Sequence, residues 1–272
     1  MKITFIGAGS MAEAIIGGLV KNNVVEKHHI YVTNRSEESR LQYMRNQYGV
    51  QTTYNLHNLF HQTDIVVLAV KPKDAMEVLQ KISSYLQQDT LLISVIAGVS
   101  LSSMENILNL EVPIIRAMPN TSAAIGKSAT AIAKNKVVKE HHLNYAFTLF
   151  SSIGLTVMVD EEKLDAVTGL SGSGPAYIYY IVEAMENSAM EIGLETDMAK
   201  KLIVQTLLGA AEMLSQSSEK AEKLRFAVTS PGGTTEAGIR MLDRHKVKDA
   251  FVDCIKEATK QSKRLSKQHS KD

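Results

Sequence analysis

Short runs of aliphatic and β-branched residues alternate with amphipathic helical stretches through the first 160 residues, and this alternation decides the fold class. Segments 3–6, 30–33, 64–70, 91–97 and 112–116 have the length and composition of strands, several of them apolar on both faces. Strands read this way when helices cover both sides of their sheet. Segments 11–22, 37–47, 73–86 and 102–108 carry helical periodicity with a polar face. The pattern predicts an α/β fold with a Rossmann-type doubly wound parallel sheet. Segments 128–133 and 155–159 are expected as its last strands, flanking a helix near 141–150.

After Asp160 the texture changes to helices alone, at 175–192, 197–214, 220–228, 236–243 and 247–267. This predicts two domains, a dinucleotide-binding one over 1–160 and an all-helical one over 161–272. Segment 197–214 is apolar over much of its circumference. Such a helix needs cover on several sides. So short a region offers few neighbours, and a partner chain is the expected cover.

Other classes are excluded on simple grounds. A net charge of +1 over 272 residues lacks the long-range field of general nucleic-acid binders. The apolar run 65–70 is strand-sized and far too short to span a bilayer. The first residues have no signal-peptide apolar core. The chain is therefore expected to be cytoplasmic, with neither nucleic-acid nor membrane partners. Its basic end, from Lys260 to Lys271 and Asp272, reads as a solvated helix terminus. A single cysteine, Cys254, excludes a disulfide framework and a Cys-rich zinc site, and its apolar neighbours place it in a core. His57 and His61 read as surface residues, His28-His29 and His141-His142 as exposed element boundaries, and no metal site is expected.

Gly7-Ala8-Gly9-Ser10-Met11-Ala12 follows a strand and opens a helix, the context a dinucleotide-binding turn requires. Gly7 permits the tight turn, Gly9 lets the backbone approach a pyrophosphate, and Ala12 allows close helix–strand contact. The second strand ends at Thr33-Asn34-Arg35-Ser36. An NAD-selective site places a carboxylate here, whereas an amide, a guanidinium and a hydroxyl all donate to a 2′-phosphate. NADP is thus favoured over NAD; Ser36 can equally cap the next helix. Ala69-Val70-Lys71-Pro72 closes the 64–70 strand at the carboxyl edge, where ligands bind in such sheets. Lys71 reads as readily as a solvated loop lysine.

Two later segments are rich in glycine and hydroxyls: Gly169-Leu170-Ser171-Gly172-Ser173-Gly174-Pro175-Ala176 and Ser230-Pro231-Gly232-Gly233-Thr234-Thr235. Each feeds a helix, and the second has the hydroxyls and N–H groups to hold a small carboxylate. Both also read as plain helix-capping turns. Neither a G-x-S-x-G elbow nor an H-E-x-x-H pattern occurs.

Taken in order, Gly7 to Ala12, Ala69 to Pro72, Arg116-Ala117-Met118-Pro119-Asn120-Thr121, Ser171 to Tyr177 and Thr229 to Thr235 resemble the motifs of pyrroline-5-carboxylate reductases. The resemblance implies an NADPH-dependent enzyme, with NADH as the weaker alternative, that reduces (S)-1-pyrroline-5-carboxylate to L-proline. It implies a homodimer formed through the helical domain; many relatives assemble further into decamers. By position, Gly7, Gly9, Ser10 and Met11 would hold the pyrophosphate, and Asn34, Arg35 and Ser36 the 2′-phosphate. Asn55 matches a cofactor-contacting asparagine, Ala69, Val70, Lys71 and Pro72 would line the cleft, and Ala97 and Gly98 would lie near the nicotinamide. Ser230, Gly232, Gly233 and Thr234 would clamp the substrate carboxylate, and Thr235 would be the catalytic residue beside the ring nitrogen.

One segment departs from the family pattern. Relatives usually carry His-Pro and then Leu-Arg-Asp or Leu-Lys-Asp ahead of the last motif. This chain has Lys220-Ala221-Glu222-Lys223-Leu224-Arg225-Phe226-Ala227, with Phe226 in the acid's place. Three rival readings follow: a reductase for a six-membered cyclic imine, a β-hydroxyacid dehydrogenase using Lys200 or Lys201, and a non-catalytic NADP(H)-binding regulator.

Overall fold

The structure, a computed structural model, describes residues 1–108 and 110–269. Lys271 and Asp272 of the basic end lie outside them. Strands β1 (Ile3–Ile6), β2 (Ile30–Thr33), β3 (Gln51–Thr52), β4 (Ile65–Leu68), β5 (Leu91–Ser94), β6 (Ile114–Met118), β7 (Ser128–Lys134) and β8 (Gly154–Met158) form one sheet. Its order is β3-β2-β1-β4-β5-β6-β7-β8. The chain reverses direction across the sheet between β1 and β4, the switch point of a doubly wound fold.

The sheet is parallel except between β6 and β7, which run antiparallel with Arg116 opposite Ala133. The doubly wound parallel sheet expected from the sequence is present, and this one reversal was not part of that expectation. The link at 119–127 holds only the short 3₁₀ turn Thr121–Ile125, too little chain for a parallel crossover. Strand β3 was not anticipated either. Its two residues pair with Tyr31 and Val32 but bury no apolar run.

Helices α1 (Ser10–Lys21), α2 (Glu38–Tyr48), α3 (Leu56–Phe60), α4 (Ala75–Ile82), α5 (Leu101–Leu108), α6 (Glu140–Ser151) and α7 (Leu164–Val167) accompany the sheet. Strand alternation sorts the core into two layers. Ile65 and Val67 of β4 join Phe5, Ile15, Met44 and Phe150, on the side of α1, α2 and α6. Val66 and Leu68 join Leu59, Leu79 and Met104, on the side of α3, α4 and α5. Side chains such as Phe5, Phe150 and Leu68 are wholly buried, and each contributes about 1.5–3 kcal/mol.

Helices α8 (Gly174–Glu191), α9 (Thr196–Gln216), α10 (Ala221–Ala227), α11 (Thr234–Arg244) and α12 (Val247–His269) complete the chain. Packing divides it into Met1–Pro175 with Lys256–Asp272, and Ala176–Ile255. Within the first unit, the end of α12 is fastened by Ser262 and Ser266, whose hydroxyls donate to the Asp165 carboxylate at 2.6 and 3.2 Å. In the second unit, the buried apolar residues described are only Ala189, Ala199 and Ile203. Leu202, Leu208 and Met213 of α9 are each more than half exposed. A single chain thus leaves uncovered the helix whose composition calls for cover.

Two side chains depart from their expected places. Cys254 is exposed rather than in a core: in one chain its neighbours Phe251 and Ile255 are only partly buried, and Val252 is half exposed. His142 is buried rather than at an exposed boundary: its Nδ1 accepts the Lys139 N–H at 3.2 Å and so caps α6.

Candidate active site

The carboxyl ends of β1, β2 and β4 enclose a cleft of about 570 Å³, lined by Gly7, Asn34, Arg35, Ser36 and Val70 among others. Gly7 makes this geometry possible. Its φ of +111° lies where side-chain-bearing residues are strained, and its N–H donates to the Thr33 carbonyl at 2.8 Å. Gly9 is different: its φ is −73° and a Cβ there would meet nothing within 4 Å. The space beside Gly9 is therefore open to a ligand, and α1 begins at the next residue. The N–H groups of its first turn, from Ser10 and Met11 onward, lack helical acceptors and face the anion-binding end of the dipole. Ala12 is fully buried, as a close helix–strand contact requires.

At the end of β2, the Asn34 carboxamide grips the backbone of Glu37. Its Oδ1 accepts the Glu37 N–H at 3.0 Å and its Nδ2 donates to the Glu37 carbonyl at 2.7 Å. One amide hydrogen of Asn34 is left over for a ligand. This arrangement, not Ser36, starts α2, and Ser36 lines the cleft. Arg35 is four-fifths exposed, with Nη1 3.7 Å from an Asp74 oxygen.

The same cleft contains residues without a sequence motif: Tyr54, Asp74, Glu77 and Lys81. Tyr54 donates to Asn34 Oδ1 at 3.2 Å. Partial burial and the nearby Glu38 and Glu37 carboxylates push its phenol above the usual range. The helical period of α4 could have flagged Asp74, Val78 and Lys81 as neighbours on one side, but nothing in it says which side meets β2.

Asn55 caps α3, its Oδ1 accepting the Asn58 N–H at 3.1 Å, and only its neighbours Tyr54 and Leu56 line the cleft. Ala69 packs on Gly7. Lys71 is exposed and precedes the turn Pro72–Asp74. Ala97 and Gly98 follow β5, further along the same carboxyl edge, where Gly98 has a φ of +79°.

Two motifs that sequence alone left separate are tied together here. Asn120, which caps the start of the 3₁₀ turn after β6, donates through Nδ2 to the Ser171 carbonyl at 3.0 Å. Ser171 sits in a π-helical turn, Thr168–Gly172, directly ahead of α8. Such turns recur at functional sites. Beneath them Arg116, 8% exposed, pairs with Glu161 at 2.6 Å, and the same carboxylate oxygen accepts the Leu101 N–H at 2.7 Å.

In the second unit, Ser230 to Gly233 form a turn closed by the Gly233 N–H on the Ser230 carbonyl at 3.0 Å. Gly232 has a φ of +75°, and Gly233 stands ahead of α11. Thr234 and Thr235 are exposed in the first turn of that helix. The Gly232 N–H, one of the expected carboxylate donors, is taken at 2.7 Å by Glu236 Oε2. A carboxylate of the chain itself thus takes up one of the turn's exposed N–H donors. Phe226 is more than half exposed, with the Arg225 guanidinium 4.5 Å above its ring.

Known proteins share this arrangement. Residues 161–265 match the family described as pyrroline-5-carboxylate reductase dimerisation. Residues 2–98 match the one described as NADP oxidoreductase coenzyme F420-dependent. The chain is 45% identical to pyrroline-5-carboxylate reductase 2 of Bacillus subtilis (strain 168) over 267 residues, 98% of this chain and 96% of that one. It is similar in structure to a pyrroline-5-carboxylate reductase from Coxiella burnetii, with a TM-score of 0.90 and 37% identity over 97% of this chain and 98% of the other. The Plasmodium falciparum pyrroline carboxylate reductase with NADP bound gives a TM-score of 0.88 at 28% identity, over 98% of both chains.

Proposed function

The chain belongs to the pyrroline-5-carboxylate reductase family, and from that premise we propose that it reduces (S)-1-pyrroline-5-carboxylate to L-proline with NADPH, the last step of proline biosynthesis. The observation that carries this reading is similarity to named reductases along nearly the whole chain, through both the nucleotide turn and the 229–235 segment.

The residues present fit a nicotinamide dinucleotide. A Cβ would have open space at Gly9, the α1 N–H groups suit a pyrophosphate, and Asn34, Arg35 and Ser36 suit a 2′-phosphate. NADH lacks that phosphate and is proposed as the weaker reductant. Ala69 to Pro72, Asn55, Ala97 and Gly98 are assigned to the same cofactor.

When bound, the cofactor supplies the hydride. The chain's part is positioning. Ser230, Gly232, Gly233 and Thr234 hold the substrate carboxylate, and Glu236 yields the Gly232 N–H to it. Thr235 orients the ring nitrogen. A protonated imine is the better electrophile, and an imine can take its proton from water near neutral pH. That suits a 229–235 segment without His, Asp, Glu or Lys.

Residues 161–272 are assigned to dimerisation and substrate binding, and 1–160 to the nucleotide. The exposed apolar side chains of α9 support a homodimer in which a second copy covers them; whether dimers gather into a decamer is read by light scattering. Among the described residues no helix is long and apolar enough to cross a membrane. A cytoplasmic location, without nucleic-acid or membrane partners, belongs to the same proposal.

The test follows reduced-nicotinamide absorbance with purified protein, pyrroline-5-carboxylate and either NADPH or NADH. Imine-dependent oxidation with proline accumulating, faster with NADPH, is the expected result. Nucleotide binding without turnover of a five- or six-membered imine would overturn the reductase and leave the regulator.

A further inference from the structure

Arg40, on α2, carries no sequence motif, yet it reaches the nucleotide turn. Its Nε donates to the Ala8 carbonyl at 2.7 Å, and its Nη2 donates to the Glu13 carboxylate. Glu13 lies one helical turn beyond Gly9 on α1, with its N–H on the Gly9 carbonyl at 2.9 Å. The other Glu13 oxygen accepts the hydroxyls of Tyr48 at 2.9 Å and Tyr43 at 3.0 Å. The Arg40 and Glu13 side chains are each about three-quarters buried.

A trans peptide is planar, so its C=O and N–H point in opposite directions. The peptide joining Ala8 to Gly9 is trans, as are all those described. Fixing the Ala8 carbonyl on Arg40 therefore aims the Gly9 N–H away from α2. From this geometry we infer that Arg40 is a positioning residue for the pyrophosphate: it orients the Gly9 amide through the Ala8 carbonyl without touching the cofactor.

Charge adds a second effect. A carboxylate in the first turn of α1 would repel a diphosphate at that helix end, and Arg40 cancels it at contact range. Burial opposes the charge on Glu13, but Arg40 and the two phenols outweigh burial and hold the carboxyl below its ordinary range. The rigid guanidinium fork serves carbonyl and carboxylate together, which a lysine ammonium at the same place does not.

The inference rests on assigning the 7–12 turn to the pyrophosphate, and the experiment separates the two. Wild type, Arg40→Lys and Glu13→Gln are titrated with NADPH and with NADH, followed by nucleotide fluorescence. Amide exchange across 7–12 is measured in the nucleotide-free protein. Both nucleotides carry the pyrophosphate, so Arg40→Lys is expected to raise both dissociation constants by the same factor, about tenfold for one lost charge-assisted hydrogen bond. Exchange should quicken across 7–12, while KM for the imine stays put. Glu13→Gln keeps the Arg40–Ala8 bond and removes the carboxylate charge from this helix end, so it should lower both constants equally, by about threefold. If Arg40→Lys does not fold, the double variant Arg40→Met with Glu13→Gln, which strands no charge, carries the test and should raise both constants alike. Unchanged constants in a folded variant overturn the inference. So does a rise for NADPH alone, which would make Arg40 a 2′-phosphate ligand. A wild type that binds neither nucleotide overturns the assignment of the turn instead.

Discussion

Gly7 stands so close to Ala69 that a Cβ on it would lie 2.3 Å from the Ala69 carbonyl oxygen, a backbone atom that cannot swing aside. With its φ of +111°, the position is closed to alanine on two counts. Gly7→Ala is expected to cost about 2–4 kcal/mol, read as a lower urea midpoint. Gly9→Ala should cost only about 0.5–1 kcal/mol, the price of a poorer N-cap. Its methyl would nevertheless occupy the space assigned to the pyrophosphate, so nucleotide affinity should fall while the fold holds. Equal nucleotide affinity in Gly9→Ala and wild type would count against that assignment.

The Arg116–Glu161 pair joins β6 to the segment ahead of α7, and through the Leu101 N–H it also holds the start of α5. Removing one partner strands a nearly buried guanidinium. Glu161→Ala should therefore destabilise by about 3–5 kcal/mol. Replacing both, as Arg116→Met with Glu161→Leu, should recover part of that loss, because no charge is then left unpaired. Urea unfolding of the three proteins decides this. A double variant no better than Glu161→Ala would mean that the pair contributes more than the cost of an unpaired charge.

Much of the sheet was legible because each buried strand is a compact apolar run: β1 and β2 fall where their sequence puts them, residue for residue. The helices of the second half were equally plain in outline. Strand β3 was not, since Gln51 and Thr52 bury no apolar side chain and are strand only by pairing with β2. The reversal at β7 was hidden because direction depends on the length and shape of a link, not on the strand's own residues. Cys254 misled because a helical pattern marks a face without telling what covers it. Asp74, Tyr54 and Arg40 were invisible for a related reason: each acts through a residue distant in sequence, and a lone polar residue on a helix or in a loop looks like a solvated one.

His142 makes stability depend on pH. Burial, and next the neighbouring His141, lower its pKa from the ordinary value, against the opposing pull of Asp89. Its Nδ1 must stay unprotonated to accept the Lys139 N–H. The unfolded chain, with an ordinary histidine near pH 6.5, then takes up a proton before the folded one does. The contribution of His142 is complete above about pH 6.5 and is lost as the pH falls through the lowered folded value. His142→Gln should flatten the stability profile below about pH 6.5 relative to wild type. Parallel profiles for the two proteins would show that the imidazole is not the group responsible.

Asp74 limits how freely Arg35 can serve a 2′-phosphate. Its carboxylate lies 3.7 Å from the guanidinium and adds negative charge to the cleft. Asp74→Asn should tighten NADPH binding by about two- to fivefold and leave NADH unchanged, the modest size reflecting an exposed pair. Arg35→Ala should weaken NADPH alone. Titrations with both nucleotides at two salt concentrations check this, since an electrostatic gain shrinks at higher ionic strength. Equal shifts for NADPH and NADH would move the 2′-phosphate away from Arg35.

Thr235 offers the most direct test of the chemistry. It is exposed in the first turn of α11, immediately after the turn assigned above to the substrate carboxylate, and nothing assigned to the nucleotide lies near it in sequence. Thr235→Ala is expected to lower kcat about 10- to 100-fold, as the loss of a group that orients the reacting nitrogen. NADPH affinity should stay near normal. Thr235→Ser keeps a hydroxyl on the same carbon and should recover most of the rate. Single-turnover kinetics separate hydride transfer from product release, and the deficit should sit in the first. A Thr235→Ala protein that turns over normally, or one that loses the nucleotide, would remove Thr235 from the ring nitrogen and leave the turn a carboxylate holder only.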